Sequence, residues 1–317
     1  MAKRRKRRRK AKSNPLAMFA IVFALAVFAF AIAPSLGFDG LPTMSDLLGL
    51  DGNSRGGYPG GNADMSLHVI DVGQGDSILA VCGEHAILVD AGSATAAGTV
   101  VKYLNDAGVK KLDVVIATHP HEDHIGGMGK VVKTFPVDEF LMYKMPDPLT
   151  PDTNVYENLL KTLKDKKLKA TSPKPLEEYT AGDMKLQILG PVNTDSEEVN
   201  NYSIVARLTY KNCSFLLTGD AQQTEEQDIL NSGQNLSATV LKAGHHGSRT
   251  SSTEEFLAAV SPGYAAISCG LNNSYSHPHK NTLGAFDRLG TEYYRTDISG
   301  HIVFECDGDK IYPKTER

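Results

Sequence analysis

The sequence predicts a layered α/β domain that follows a membrane-spanning segment. From residue 66 onward, short runs of β-branched and apolar residues alternate with amphipathic segments that begin at capping residues. Strands interleaved with helices in this way are typical of layered α/β domains. The chain has 317 residues, which is enough for one large domain with appendages.

The N-terminal segment has the pattern of a membrane anchor. Residues 1–12 contain nine lysines or arginines and no acidic residue, and residues 16–33 form an apolar run without charges. This run approaches the ~20 residues that span a bilayer, and continuation to Phe38 completes it. Because basic residues stay on the cytoplasmic side, we expect a cytoplasmic tail over residues 1–14 and a single-pass signal-anchor over residues 15–38.

The rest of the chain is then expected outside the cell, attached to the cell membrane through this N-terminal helix. A signal peptide cleaved after Ala33 is the alternative, although Pro34 and the long apolar run disfavour it. Residues 39–65 are rich in Gly, Asp, Asn and Ser, which predicts a flexible linker. Residues 66–317 form the predicted folded domain.

The charge distribution argues against a broad nucleic-acid-binding face. The formal net charge is −4, but residues 13–317 contain 24 basic and 37 acidic residues, a formal charge of −13. Trp is absent, so extensive platforms for stacking bases are not expected either. Any bound polyanion would therefore have to be held locally.

The strand predictions follow from apolar and β-branched runs that end at turn residues. They cover residues 67–71, 77–82, 86–90, 113–118, 139–143, 184–189, 204–210, 214–218, 239–243, 264–268, 292–295, 301–305 and 310–312.

Helices are predicted between these strands from amphipathic spacing and capping residues. Their predicted N-terminal signals are Ser93 or Thr95, the capping boxes at residues 224–227 and 252–255, and Asn281; a further amphipathic helix covers residues 155–168. Gly290 is the predicted C-terminal stop of the last helix.

The segment His119-Pro120-His121-Glu122-Asp123-His124 carries the densest chemistry in the chain. It packs three imidazoles and two carboxylates into six residues directly after a predicted buried strand. Imidazole nitrogen and carboxylate oxygen are zinc ligands, and open α/β sheets place their sites at the carboxyl ends of strands. An exposed polar turn is the alternative, but it does not account for three histidines so close together.

This H-x-H-x-D-H pattern resembles the signature of the metallo-β-lactamase superfamily. Further blocks resemble the soluble domain of ComEC-type competence proteins and occur in that family's order across residues 66–312: residues 68–77, 216–220, 241–248, 273–278 and 295–300. The resemblance implies an αββα sandwich that binds two divalent metal ions. Zn²⁺ is the expected ion and Mn²⁺ is the alternative.

The resemblance also implies a set of metal ligands. His119 and His121 would bind metal one, Asp123 and His124 would bind metal two, and Asp220 would bridge the two ions. Asp220 follows an apolar strand and Gly219, and capping of the next helix is its alternative role.

A further ligand of metal two is expected from the adjacent pair His245 and His246. The position of His245 nearer the strand end favours it slightly, and the other histidine would contact substrate. No histidine occurs between residues 125 and 244, so Asn200 or Asn201 stands where many superfamily members place another metal-one ligand. A simple turn is an equal alternative for these two asparagines.

The remaining candidates are substrate or supporting residues. We expect Asp123, His246 and His277 to act most directly in catalysis. The residues expected to contact substrate or support the ligands are Asp71, Gln74, Asp76, Asp90 and Tyr275. Among these, Asp90 ends an apolar strand and is expected to orient a ligand imidazole.

The resemblance implies an extracellular, membrane-tethered binuclear hydrolase related to competence and DNA uptake. A phosphodiester, with single-stranded DNA first, is the expected substrate. A phosphorylcholine or other wall-polymer esterase is the alternative enzyme, and a non-catalytic metal-containing binding module is the alternative of another class. The sequence indicates no protein partner.

The four cysteines do not form a C-x-x-C pair, so no thiolate zinc site is predicted. Each lies in or beside a strand-like run, and we expect small buried side chains. An extracellular location would permit a disulfide, but the sequence does not select its partners.

Overall fold

The computed structural model describes residues 63–317. The predicted tail, the predicted anchor at residues 15–38 and nearly all of the linker lie outside the described residues. Within the described part of the chain, none of the helices combines the length and the apolar character that a membrane span needs.

Fifteen strands and eight α-helices make up the described fold. The strands are β1 (Met65–Val69), β2 (Ile78–Cys82), β3 (His85–Val89), β4 (Leu112–Ala117), β5 (Val137–Met142), β6 (Ala170–Thr171), β7 (Glu178–Ala181), β8 (Met184–Gly190), β9 (Val205–Tyr210), β10 (Cys213–Leu217), β11 (Val240–Lys242), β12 (Tyr264–Ile267), β13 (Glu292–Arg295), β14 (Ile302–Cys306) and β15 (Ile311–Thr315). The helices are α1 (Ala97–Asp106), α2 (Glu122–Ile125), α3 (Met128–Thr134), α4 (Asn154–Asp165), α5 (Gln223–Asn231), α6 (Glu254–Val260), α7 (Lys280–Leu289) and α8 (Thr296–Ser299).

The strands form two mixed sheets with the same arrangement of antiparallel and parallel strands. The first has the order β15-β14-β1-β2-β3-β4-β5-β6, and the second has the order β13-β12-β11-β10-β9-β8-β7. In each sheet an antiparallel part continues into a parallel part: β3 to β6 are parallel in the first, and β10 to β13 are parallel in the second. The carboxyl ends of parallel strands lie together, which is where such sheets place their sites.

The hydrophobic core has three layers, which is why the central strands are apolar on both faces. In β4, Val114 and Ile116 pack into the layer between the two sheets, whereas Val115 and Ala117 pack against the outer helices. Helices α1, α3 and α4 cover the first sheet, and α5, α6 and α7 cover the second. The result is the predicted αββα sandwich.

All the predicted strands are present, with ends that differ by a few residues, but two strands and three helices were not predicted. Strands β6 and β7 are short and polar, and helices α2, α3 and α8 have at most seven residues. Such elements show too little periodicity for detection.

None of the predicted N-terminal caps is confirmed. Helices α1, α5 and α7 have no side-chain cap, and Thr253 caps α6, where its side chain accepts a hydrogen bond from the backbone N–H of Phe256. The predicted stop at Gly290 is confirmed, because Gly290 has the left-handed conformation at the end of α7.

One disulfide joins the two sheets. Cys213 at the start of β10 and Cys306 at the end of β14 are bonded, although 93 residues separate them in the chain. Both lie in the core layer between the sheets. Cys213 and Cys306 are thus buried, as expected, and form a disulfide of the kind that the sequence left open. Cys82 and Cys269 remain free, and Cys82 is only partly buried.

Candidate metal centre

The candidate site lies where parallel strands of both sheets end. Strand β4 leads into His119 and His121, and strand β3 leads into Asp90. In the second sheet, β10 leads into Asp220 and β11 leads into the His245-His246 pair. The fold therefore brings together residues that are far apart in the sequence.

The H-x-H-x-D-H segment spans a loop and the first turn of a helix. His119 and His121 precede α2, whereas Asp123 and His124 lie inside it. The loop before β2 crosses this turn very closely: a Cβ added to Gly75 would lie 2.2 Å from the carbonyl oxygen of Asp123. Only glycine permits this contact, so Gly75 fixes the position of the Asp123 backbone.

Asp220 lies at the centre of the cluster. Its Oδ2 atom is 3.4 Å from His124 Nε2, 3.4 Å from His246 Nε2 and 3.9 Å from His119 Nε2. Its Oδ1 atom is buried and has no hydrogen-bond partner among the described residues. A buried carboxylate with an unpaired oxygen, surrounded by imidazole nitrogens, is suited to bind a cation.

Two groups of donors converge around this carboxylate. His119, His124 and Asp220 form one group that could hold a metal ion, and Asp123, His124 and His246 form another. His119 Nε2 and His121 Nδ1 are 2.9 Å apart, and His124 Nε2 is 3.3 Å from His246 Nε2. In each pair one nitrogen can donate a proton only if the other accepts it through its lone pair, and where both present lone pairs a cation can take the place of the proton. The residues present therefore fit a metal centre.

Hydrogen bonds fix the orientation of the central imidazoles. His124 Nδ1 donates to Asp90 Oδ2 at 2.7 Å, which leaves its Nε2 atom facing the cluster. Asp90 also accepts hydrogen bonds from the backbone and hydroxyl of Thr118. His246 Nδ1 donates to the carbonyl oxygen of Ser268 at 2.9 Å. Partners of this kind set the tautomer of a metal-binding histidine, so the expected supporting position of Asp90 agrees with the geometry.

The structure places His246, not His245, deepest in the cluster. His246 Nε2 is 3.3 Å from Asp123 Oδ2. The side chain of His245 is 21% exposed, and its Nε2 atom is 3.7 Å from Asp220 Oδ2. Both histidines have a left-handed backbone conformation, with φ of 49° and 55°. This conformation turns the second histidine inward, so the geometry favours His246 as the metal ligand. The sequence analysis slightly favoured His245, because it lies nearer the strand end.

Burial and charge act on the histidines in opposite directions. Burial lowers the pKa of His119 and His121, so their imidazoles are neutral near pH 7. Burial also lowers the pKa of His124 and His246, but the Asp220 carboxylate and other nearby acids outweigh it and raise both pKa values well above the ordinary range. A metal that binds these nitrogens would displace protons.

A buried ion pair below the cluster was not predicted. Lys242 in β11 and Asp76 are each 1% exposed, and Lys242 Nζ lies 2.9 Å from Asp76 Oδ2. Asp76 Oδ1 in turn lies 3.3 Å from His246 Nδ1. The expected supporting role of Asp76 agrees with this position. A lysine inside the apolar run of residues 239–243, three residues before His245, is the sequence signal that could have identified Lys242.

His277 and Tyr275 lie at the rim of the cluster. The ring of His277 is centred 5.5 Å from that of His245, and Tyr275 stacks on its outer side with a centroid distance of 5.5 Å. Burial lowers the pKa of His277 to about 4, and the nearby charge of His246 is the second cause. Its Nδ1 atom is buried without a hydrogen-bond partner among the described residues. A neutral imidazole in this position is suited to contact a substrate.

Two of the predicted residues, Asp71 and Gln74, contact surrounding loops. Asp71 interacts with Arg317 Nη2 at 3.0 Å, and its backbone N–H donates to His301. Gln74 Oε1 accepts a hydrogen bond from the backbone of Gly270. Neither belongs to the groups of residues that could hold a metal.

Asn200 and Asn201 lie in a 3₁₀ turn, Val199–Tyr202, and differ from each other. The side-chain oxygen of Asn201 accepts a hydrogen bond from the backbone N–H of Gln222, and its side-chain nitrogen donates one to the hydroxyl of Ser196. Such contacts are those of a structural turn residue. Asn200 is buried, and its Oδ1 atom has no hydrogen-bond partner among the described residues. Asn200 is therefore the better candidate for a ligand.

The fold and this cluster define a class of protein. A sequence profile of the metallo-beta-lactamase superfamily matches residues 70–271, and the chain belongs to this superfamily. Its members are generally metal-dependent hydrolases, and the His/Asp groups described above could hold the divalent ions that the fold typically binds.

The similar proteins narrow the relationship to ComEC-type competence proteins. The chain is 30% identical over 268 residues to ComE operon protein 3 of Bacillus subtilis, 78% of this chain and 34% of that protein. It is 31% identical over 243 residues to competence protein ComA of Neisseria gonorrhoeae, 76% of this chain and 32% of that protein. The chain thus spans about a third of the length of these relatives.

A solved structure supports the fold alone. CmlA, a diiron beta-hydroxylase from Streptomyces venezuelae, is similar with a TM-score of 0.51 and 12% identity, over 77% of this chain and 54% of CmlA. At this identity the likeness concerns the αββα architecture and not the reaction.

Proposed function

We propose that this protein is a binuclear metallohydrolase that cleaves phosphodiesters, with single-stranded DNA as the first candidate substrate. The observation that carries the proposal is the convergence of imidazole nitrogens on the buried carboxylate of Asp220. The relationship to competence proteins favours DNA among phosphodiesters.

The proposed metal ligands divide into two sets that share Asp220. Asp123, His124 and His246 would hold one ion, and His119 and His121 would hold the other. Asn200 would complete the second set with a weaker amide oxygen, so this ion would be bound less tightly. Zn²⁺ is the proposed ion, with Mn²⁺ as the alternative. Two such ions would activate water and stabilise negative charge on a phosphoester.

The surrounding residues would bind and orient the substrate. His277, neutral at pH 7, could donate a hydrogen bond to a phosphate oxygen from its inward side. His245, which is partly exposed beside Asp220, could contact the same group. Asp90, Ser268 and Asp76 would keep the ligand imidazoles in the required tautomers.

The proposal is tested with the metal-loaded protein on bis-p-nitrophenyl phosphate, on single-stranded DNA and on a phosphorylcholine ester. Cleavage of the first two is expected, and Asp123→Ala should abolish it without unfolding the protein, because Asp123 is a partly exposed donor and not a core residue. Leu160→Asp, a substitution at an exposed site on α4, is the matched control. Cleavage of the choline ester alone would indicate a wall-polymer esterase, and cleavage of none with metals bound would favour a binding module.

We further propose that the domain acts outside the cell, tethered to the membrane by residues 15–38. The basic cluster before the apolar run supports this topology. The Cys213–Cys306 disulfide also supports it, because disulfides persist mainly in oxidising compartments. Protease added to intact cells should release the domain by cleavage within residues 39–65. Complete protection until the membrane is broken would contradict the proposal.

A further inference from the structure

The cluster is flanked by two cavities of different chemistry. One, of about 460 Å³, begins at His121 and lies between the loop after β4 and the segment that leads into α4. The other, of about 620 Å³, lies on the side of His277 and is lined by the ion pair of Arg295 with Asp297. The first is here called the His121 pocket.

The walls of the His121 pocket are apolar. They are formed by Pro120, Leu149, Pro151, Val155 and Val199. The described residues that line it include no lysine or arginine, and Glu122 belongs to the lining. Because the carboxylate repels a phosphate group and the apolar walls cannot replace its hydration, this pocket is suited to an uncharged part of the substrate.

The size and polar groups of the pocket limit the occupant further. A cavity of about 460 Å³ admits a ring system. The exposed amide of Asn154 at its edge offers both a donor and an acceptor, as the edge of a base requires. The described residues that line it include no Phe, Tyr or Trp, so the pocket lacks the aromatic cage that holds a quaternary ammonium group, and a base in it would pack against aliphatic walls without aromatic stacking.

We propose that the His121 pocket binds the nucleobase next to the scissile phosphate. The proposal rests on the proposed function, since it assigns a subsite of the same centre. A nucleic-acid strand alternates uncharged bases with charged phosphates. With the scissile phosphate at the His/Asp cluster, the base lies in the apolar pocket and the strand continues toward the second cavity, on the side of His277.

The test compares the affinities of two phosphate monoesters by isothermal titration on the full-length, metal-loaded protein. Thymidine 5′-monophosphate and methyl phosphate present the same anion and differ in the base and sugar. Thymidine 5′-monophosphate should bind at least about tenfold more tightly, a difference of ~1.4 kcal/mol. Leu149→Asp should reduce this ratio to near one, and so should Val199→Tyr, which fills the pocket. Circular dichroism checks that each variant is folded.

Leu160→Asp is the matched control, since it places the same charge on an exposed site outside the pocket and should leave the ratio unchanged. The pocket proposal is overturned if the wild-type protein binds both esters equally, if both pocket variants retain the ratio, or if phosphorylcholine binds more tightly than the nucleotide. A protein that cleaves methyl p-nitrophenyl phosphate without nucleoside preference would refute the pocket and leave the proposed function intact. Failure to cleave any diester would refute the proposed function.

Discussion

Replacement of Lys242 by Met should destabilise the whole domain because it breaks a buried ion pair. Lys242 Nζ lies 2.9 Å from Asp76 Oδ2, and both residues are 1% exposed. Neither oxygen of Asp76 has a well-directed hydrogen bond, so charge attraction is its main compensation. Met has nearly the same length as the lysine stem, so the substitution removes the charge and leaves little cavity.

The magnitude follows from the distance and the burial. At 2.9 Å two unit charges attract by ~6 kcal/mol with an effective dielectric constant of 20. Loss of one partner of a buried pair typically costs about 3–5 kcal/mol, because the other charge remains buried. We therefore expect Lys242→Met to lower the free energy of unfolding by about 3–5 kcal/mol. His246 Nδ1, 3.3 Å from Asp76 Oδ1, offsets part of the remaining charge, which favours the lower end of the range.

Urea unfolding of the metal-free protein at pH 7 measures this cost. The double variant Lys242→Met with Asp76→Asn should lose less than the sum of the two single variants, by at least about 2 kcal/mol. Lys314→Met is the matched control: Lys314 pairs with Glu305 at 2.7 Å but its side chain is 40% exposed, so its loss should cost ~1 kcal/mol or less. A cost for Lys242→Met equal to that of the control, or strict additivity in the double variant, would refute the reasoning.

Three further predictions concern other parts of the molecule. Burial raises the pKa of Glu225 to about 8 from an ordinary value of 4.5, so the folded state binds the proton more tightly than the unfolded state does. The free energy of unfolding should therefore fall by roughly 3 kcal/mol between pH 5 and 8. Glu225→Gln should flatten this pH dependence in urea titrations, and an unchanged slope would contradict the prediction. Replacement of Cys213 and Cys306 by Ala should lower the unfolding free energy by on the order of 4 kcal/mol, as the 93-residue separation implies, and an unchanged melting curve would argue against the bond in solution. His246→Ala should lower the bound metal per chain more than His245→Ala does, as measured by elemental analysis; equal losses would count against the proposed ligand set.

The strands and the metal loop could be predicted from the sequence because each depends on local pattern. Strand β4 is apolar on both faces, so it reads as one continuous run, and His119 to His124 follow it directly. The helix caps could not be predicted with the same success. Thr253 and not Ser252 caps α6, since the choice depends on how the preceding loop packs and not on the capping-box spacing alone.

Other features depend on contacts between distant residues. Sequence position could not decide between His245 and His246, because their left-handed backbone determines which ring turns inward. Lys242 escaped attention because lysines are rarely buried without a partner, and its partner Asp76 lies far away in the chain. The pairing of Cys213 with Cys306 likewise depends on the stacking of two sheets, which no local pattern encodes.

The donors of the candidate centre come from both sheets of the sandwich. His119 and Asp123 follow β4 in the first, whereas Asp220 and His246 follow β10 and β11 in the second. An ion bound among them would be attached to both halves of the fold at once, so its affinity would add to the global stability, by ~2.7 kcal/mol at a concentration a hundred times its dissociation constant. Thermal melting should then report metal occupancy directly, and a fragment that contains only one half of the chain should hold neither ion firmly.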